Sequence, residues 1–381
     1  MATRGSLKRL VLVAACAALV AGSVGPGLRA DLVAGSTGPG LRADQTARGA
    51  GPSDPPGLHV MPIRGNVFMI VGGGSNVTVS AGVDGMLIVD TGTAAMADKM
   101  LDALKEIGGM VGGPMRMTTC VGPTCYPAGS TGPFNTFGWT GPSYNAVIAS
   151  PKAVKPIRWV LLTSADPEHV GGAIKIAPAG TTYNGGEAGR LIGERTPATV
   201  VAHEYVLKRM TQTKYPEAAW PTETYYIPTY RMSQFINGEG IQMYHAPAAI
   251  TDADSYVYFR FSDVISAGDI FTPGRYPAID VAKGGTVQGE IDALNKISDL
   301  TFPEYRHQGG TMVIGGHGRI GDQADIAIFR NMIVVIKERI EQLKKDGMSL
   351  QQVKAAKPTL DYDGIYGSPD KFIEAVFQTL K

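Results

Sequence analysis

HVMPIRGNVFMIVGGGSNVTVSAGVDGMLIVDTG, residues 59–92, holds three short apolar runs separated by glycine turns. That pattern predicts an antiparallel meander. Gly72-Gly73-Gly74 precedes a strand rather than a helix, so it reads as a hairpin turn and not as a phosphate loop. The period then changes: Met96 to Ile107 (MADKMLDALKEI) carries apolar residues at helical spacing, just after small residues that can cap it. Strand, strand, strand, helix is the expected opening.

Upstream of this block, Arg4, Lys8 and Arg9 form a basic region ahead of a short apolar run, Leu10 to Val20, ending in small residues. Residues 1–30 therefore read as a signal peptide, which makes the mature chain periplasmic or extracellular. The run is shorter than the roughly 18 apolar residues a membrane span needs, and no later stretch reaches that length. Val13-Ala14-Ala15-Cys16 resembles a lipoprotein box, but the apolar run continues past Cys16 instead of ending there. A direct repeat follows, VAGSVGPGLRADL (20–32) against VAGSTGPGLRADQ (33–45). Its Gly, Pro, Ala and Ser cannot bury enough apolar surface to fold, so residues 31–57 read as a disordered linker.

Downstream, residues 109–150 are dominated by glycine, proline, serine and threonine, with scattered aromatics, and read as an inserted loop in a domain spanning 58–381. Cys120 and Cys125 lie within it; in an oxidising compartment a local disulfide is their natural state, and a zinc pair would need two further ligands that the loop does not supply. Ile157 to Leu162 reads as a buried strand ending at Thr163-Ser164, and Gly171-Gly172 opens a helical segment. Val200 to Thr211 reads as a helix, with His203 and Glu204 on its solvated face. Ile241–Tyr244, Ser255–Phe261, Val264–Ser266 and Thr311–Ile314 read as strands; Gly285–Leu300 and Asp325–Lys345 read as helices. This order fits a four-layer αββα sandwich of two β-plus-α halves.

The chain has 381 residues, 44% hydrophobic and 18% charged, enough to bury one large core. A formal net charge of +1 gives no electrostatic footprint for nucleic acid or for an anionic membrane, so a small-molecule substrate is the expected partner.

Residues 59–345 resemble the metallo-β-lactamase superfamily, on five segments in order. These are Val83-Asp84-Gly85 through Val89-Asp90-Thr91-Gly92, TSADPEHVGG (163–172), AITDADS (249–255), SAGDIF (266–271) and Gly316-His317-Gly318. The resemblance implies an α/β four-layer αββα metallo-β-lactamase-like sandwich and a metal-dependent hydrolase. It also implies where this chain departs from the pattern. The H-x-H-x-D-H signature becomes Ser164, Asp166, Glu168 and His169, and the histidine of the third motif becomes Ile250. The family's first metal position thus keeps at best Asp166. The second retains Glu168, His169, Asp269 and His317, a set able to hold one Zn2+ with a position open to water. Asp166 would then serve as general base or as an orienting residue.

Other roles stand beside these. His169 could cap the following helix, Asp269 could close a turn, and His245 could be a substitute ligand or a packing residue. His307, in a loop, carries no signal. Asp252 and Asp254 lack the glycine and terminal glutamate of a calcium loop. Asn76-Val77-Thr78 matches a glycosylation sequon but falls within a predicted strand. Trp220, Tyr225, Tyr226 and Tyr230 could line a pocket or simply pack. Two functions follow: a hydrolase of an ester, lactam, lactone or related bond, or a non-catalytic protein that binds a ligand or partner in the former cleft. A two-iron redox protein would need about six ligands that the chain does not show.

Overall fold

The computed structural model describes residues 57–112, 156–182, 196–302 and 310–380. The expected leader, the repeat, both later cysteines, His307 and residues 113–150 of the insert lie outside them. Four strands, not three, open the described chain: β1 (His59–Arg64), β2 (Val67–Gly73), β3 (Ser75–Gly82) and β4 (Gly85–Val89), each antiparallel to the last. The extra turn falls at Gly65, whose φ of 59° only glycine adopts readily, and it splits the first apolar run in two.

After β4 comes α1 (Ala97–Gly112). Residues 109–112, expected to begin the inserted loop, are its last turn. Val111 is buried one turn beyond Ile107, and that apolar anchor carries the helix through Gly108 and Gly109.

The chain then turns parallel. β5 (Ile157–Leu162) pairs with β4, β6 (Thr199–His203) with β5, and β7 (Glu223–Tyr225) with β6, giving a seven-stranded sheet in sequence order. Short helices α2 (Pro167–Val170), α3 (Ala173–Ala179) and α4 (Glu204–Gln212) fill the crossovers. The helix expected over 200–211 is thus strand over its first four residues and helix from Glu204. Val200, Val201 and Ala202 are buried on both faces of the sheet, and a strand covered on both sides shows an unbroken apolar run instead of alternation.

The second sheet has the order β12-β11-β10-β9-β8, with β8 (Thr229–Arg231), β9 (Ile241–His245), β10 (Ser255–Phe259), β11 (Val264–Gly268) and β12 (Met312–Gly315). All its pairings are antiparallel except β11 with β12. Helices α5 (Val287–Leu300) and α6 (Gln323–Lys345) cover its outer face, with α7 (Leu350–Ala355), α8 (Asp363–Tyr366) and α9 (Asp370–Thr379).

Three apolar cores give the layers. Ile88, Val160, Leu162 and Val200 face α1 and α3. Their neighbours Leu87, Val89, Leu161 and Val201 meet Met243, Val257, Phe259 and Ile314 between the sheets. Ile265, Val313, Leu294 and Ile333 lie under α5 and α6. The period-2 alternation of strand side chains sends each set to its own core, and the result is the expected α/β four-layer αββα sandwich. The parallel pairings bring the ends of β4, β5, β11 and β12 to one rim, followed by Asp90, Thr163, Asp269 and His317. Among the described residues no helix is long and apolar enough to cross a membrane.

Candidate metal centre

His169 sits in the one-turn helix α2, which begins with Asp166 as N-cap, its Oδ1 accepting the Glu168 N–H at 2.9 Å, and Pro167 at the first position. The turn after β4 clamps it: the Thr91 N–H and hydroxyl both donate to the His169 carbonyl at 2.7 Å. Side chains at Gly171 and Gly172 would collide with the Ala94 nitrogen and the Thr91 carbonyl, so close backbone approach is why the motif ends in glycines.

Asp90 orients the imidazole. It is buried, with a φ of 62°, and it accepts from Thr163 N at 2.8 Å, Thr163 Oγ1 at 2.6 Å and His169 Nδ1 at 2.8 Å. A carboxylate at Nδ1 keeps the proton there, leaving Nε2 with its lone pair for another partner.

From the other half, Asp269 follows β11 and His317 follows β12. Gly316 separates them: a Cβ there would strike Asp269 Oδ1. We therefore expect Gly316→Ala to displace that oxygen and weaken any metal binding there, measured by chelator competition, with little change in the circular dichroism of the fold. Asp269 Oδ1 lies 3.0 Å from His169 Nε2 and 3.7 Å from His317 Nε2, and the three donor atoms fall within 4.8 Å of one another. Glu168 Oε2 is 3.4 Å from His317 Nε2; its side chain is about half exposed and touches this group from the edge.

Electrostatics hold the group in tension. Burial alone lowers the His169 pKa, but Asp269 and Asp90 raise it well above the ordinary histidine value. Burial raises Asp269, yet His169, His317 and Arg275 bring it down to about 2. Burial lowers His317, against the pull of Asp269.

Two imidazoles and a carboxylate suit zinc, and one observation tests the fit. His169 Nε2 and Asp269 Oδ1 are buried and 3.0 Å apart, an ion-pair contact, with His317 Nε2 3.7 Å from the same oxygen, yet neither atom makes a hydrogen bond. Polar atoms buried without partners are costly. Two of them side by side, facing shared space, are what co-ligands of a cation look like.

The residues that the resemblance placed at a first metal position do other work. Ser164 Oγ accepts the Asp166 N–H at 3.1 Å, Asp166 is exposed on its cap, and Ile250 is part of the apolar core under α5. His245 does not substitute. Its Nε2 donates to the Asp252 carbonyl at 2.9 Å, and its ring stacks on His203 at 3.6 Å and 8°. His203 is buried, not on a solvated face: it is the N-cap of α4, its Nδ1 accepting the Tyr205 N–H at 3.4 Å. Of the neighbouring aromatics Tyr226 is exposed, while Tyr225, Tyr230 and Trp220 pack. Tyr225 bonds Ser255 Oγ at 2.7 Å and stacks on Tyr230, and Trp220 Nε1 donates to the Tyr215 carbonyl. Asp254 closes a turn by accepting from Thr251 N and Oγ1.

Sequence reasoning missed one buried acid. Glu290, on α5, is fully enclosed with neither carboxyl oxygen partnered; burial raises its pKa well above the usual range, and the charges of Asp254 and Asp269 add to the rise. A signal existed, since Glu290 falls on the apolar stripe Val287, Ile291, Leu294.

No protein-family profile and no curated protein sequence matches the chain. Solved structures do. A double mutant of the sec-alkyl sulfatase PisA1 aligns at 18% identity and a TM-score of 0.52, covering 84% of this chain and 50% of that one. The stereoselective inverting sec-alkylsulfatase Pisa1 from Pseudomonas sp. aligns at 14% identity, with the same TM-score and coverage. This chain thus spans about half the length of those proteins. A metallo-beta-lactamase from Pontibacter korlensis aligns at 14% identity and a TM-score of 0.45, over 72% of this chain and 98% of that one. With the layer order, the motif loops gathered on one rim and the alignment to the two sulfatases, the chain has an αββα sandwich of the metallo-β-lactamase type, at low identity to those structures.

Proposed function

We propose that the chain is an exported hydrolase that uses one zinc ion, held by His169, Asp269 and His317, to cleave an ester, lactam, lactone or related bond of a small molecule. The observation that carries this reading is the convergence of three donor atoms within 4.8 Å, two of which, His169 Nε2 and Asp269 Oδ1, are buried and make no hydrogen bond. Three protein ligands with an open fourth position are the pattern of catalytic rather than structural zinc sites. Zinc bound there would lower the pKa of its water and polarise the substrate's oxygen.

The protein's own groups divide the remaining work. Asp90 fixes the His169 tautomer. Asp166 takes the orienting role of the two expected of it, since its cap holds the Glu168 backbone. Glu168 was expected as a ligand, but its half-exposed carboxylate at the edge of the group suits the proton acceptor for the attacking water better. Export is supported by the basic and apolar segments at residues 4–20.

The test is metal content by elemental mass spectrometry on the purified chain, beside a His169→Ala, His317→Ala double variant. About one equivalent of zinc, lost in the variant, is the expected result. No metal even after zinc loading overturns the reading; it would leave a cleft that binds a ligand or partner without metal, as the loss of a donor at Ile250 would suit.

A further inference from the structure

The metal centre is composite: His169 belongs to the half built on the first sheet, Asp269 and His317 to the half built on the second. Something must hold the two halves in register. Apolar packing between sheets is non-directional and resists sliding weakly, whereas a slip of one strand residue moves a donor by roughly 3 Å. Metal ligands must be placed to within about 0.5 Å.

Strand β3 carries the feature that answers this. Its odd positions Val77, Val79 and Ala81 face the helices of the first half. Its even positions Asn76, Thr78 and Ser80 are polar and also buried, and they reach toward the second half. Asn76 Nδ2 donates to the carbonyls of Gly315 at 2.9 Å and Gly318 at 3.0 Å, and its backbone N–H donates to Gly316 at 2.7 Å. Three hydrogen bonds thus hold the loop that presents His317. Thr78 Oγ1 donates to Ser266 Oγ on β11 at 3.0 Å, three residues before Asp269. Ser80 Oγ accepts from Asn237 Nδ2, between β8 and β9. At the head of the strand, Ser75 Oγ donates to the Glu168 carbonyl at 2.7 Å.

We infer that the buried polar face of β3, Asn76 foremost with Thr78, together with Ser75 at the head of the strand, is the positioning element that sets His317 and Asp269 against His169, so that metal affinity depends on it. The inference rests on the metal-centre reading above. Polar groups inside a sandwich are costly unless each is hydrogen-bonded, and those of β3 spend their directionality on the loops that carry the ligands. The sequon Asn76-Val77-Thr78 is likewise accounted for: the Asn76 amide is enclosed and bonded, not displayed for a glycan.

The experiment compares zinc affinity by chelator competition, and the visible spectrum of the cobalt-loaded protein, for the wild type, Asn76→Ala, Thr78→Val and Thr78→Ser, with thermal unfolding measured alongside. Asn76→Ala is expected to weaken zinc binding 10–100-fold, the range seen when groups supporting metal ligands are removed, and to alter the cobalt spectrum. Thr78→Val should weaken binding in the same direction by a smaller factor, and Thr78→Ser, which keeps the hydroxyl, should restore it. A folded Asn76→Ala protein that binds zinc as the wild type does overturns the inference. Should Asn76→Ala fail to fold, the threonine pair decides, and equal affinities for Thr78→Val and Thr78→Ser overturn it too. Wild-type protein that takes up no metal refutes the centre itself, an outcome visible without any variant.

Discussion

At the proposed zinc centre, Asp90→Asn is expected to fold and to lose most of the metal affinity, whereas Asp90→Ala is expected to lose several kcal/mol of stability as well. The difference follows from what each residue can do at this position. Asparagine tolerates the left-handed backbone at φ 62° and keeps one oxygen to accept the Thr163 N–H. Its other terminus is an NH2 group, which must donate where the carboxylate accepted. It meets His169 Nδ1 as a donor, and the imidazole answers by moving its own proton to Nε2. That proton occupies the lone pair meant for the cation, so affinity should fall at least 10–100-fold. Alanine leaves the Thr163 N–H and the His169 ring without their acceptor in a buried site, a loss of about 3–5 kcal/mol, and gives up the tolerance of a left-handed backbone that Asp and Asn owe to their short polar side chains. Chelator competition reads the affinity, urea unfolding reads the stability, and nitrogen-15 shifts of the His169 ring read the tautomer. Asp90→Asn protein that holds zinc like the wild type would show that Asp90 does not set the tautomer.

The tight donors His169, Asp269 and His317 were legible because each stands in a short segment whose glycines and strand ends mark a loop: GG after His169, SAG before Asp269, GHG around His317. Their support was not. Asp90 reaches His169 across 79 residues, and Asn76 reaches Gly315 across 239. Nothing local to either residue records such a partner, because the contact exists only after two sheets have stacked. Glu168 was read as a ligand by its place in the signature. Its longer side chain leaves it at the edge of the donor set, a matter of geometry that spacing alone does not carry.

Element types were largely legible and boundaries less so. VVAHEYVLKRMT joins a strand buried on both faces to an amphipathic helix with no glycine, proline or usual cap residue between them. The junction is made by His203, whose side chain caps the helix, and histidine is not among the residues that usually signal a cap. The same ambiguity hid the histidine's burial. Read as part of a helix it belonged to a wet face; as the end of a central strand it is enclosed by Tyr205, Tyr225 and His245.

That enclosure gives a second large effect, with pH. Burial, with the charge of His245 beside it, lowers the His203 pKa from 6.5 to about 4. Protonating the ring would place a hydrogen on Nδ1, against the Tyr205 N–H, at a helix N-terminus that already disfavours positive charge. A histidine whose pKa is lower folded than unfolded makes the unfolded state bind more protons between those values. Its contribution to stability is intact above pH 6.5 and is lost as pH falls toward 4. The full difference is worth about 3 kcal/mol, of which about 2 kcal/mol falls between pH 7 and 4.5.

Other groups act in the opposite sense. The raised pKa of His169 contributes stability below 6.5 that is lost as pH rises through its folded value, and burial raises Asp254 to about 7. The curve that isolates His203 is therefore the difference between wild type and His203→Asn, since asparagine keeps an oxygen to cap Tyr205 and removes only the titrating, stacked ring. At pH 7 the variant should be the less stable, by the ring contacts it gives up, each about 0.5–1.5 kcal/mol. At pH 4.5 that gap should have narrowed by about 2 kcal/mol, because the unfolded wild type now gains a proton that its folded state refuses. Urea unfolding at pH 7, 5.5 and 4.5 measures the gap directly. A gap constant across the three would mean that His203 takes up its proton in the folded protein, and that the stacked pair opens without resistance.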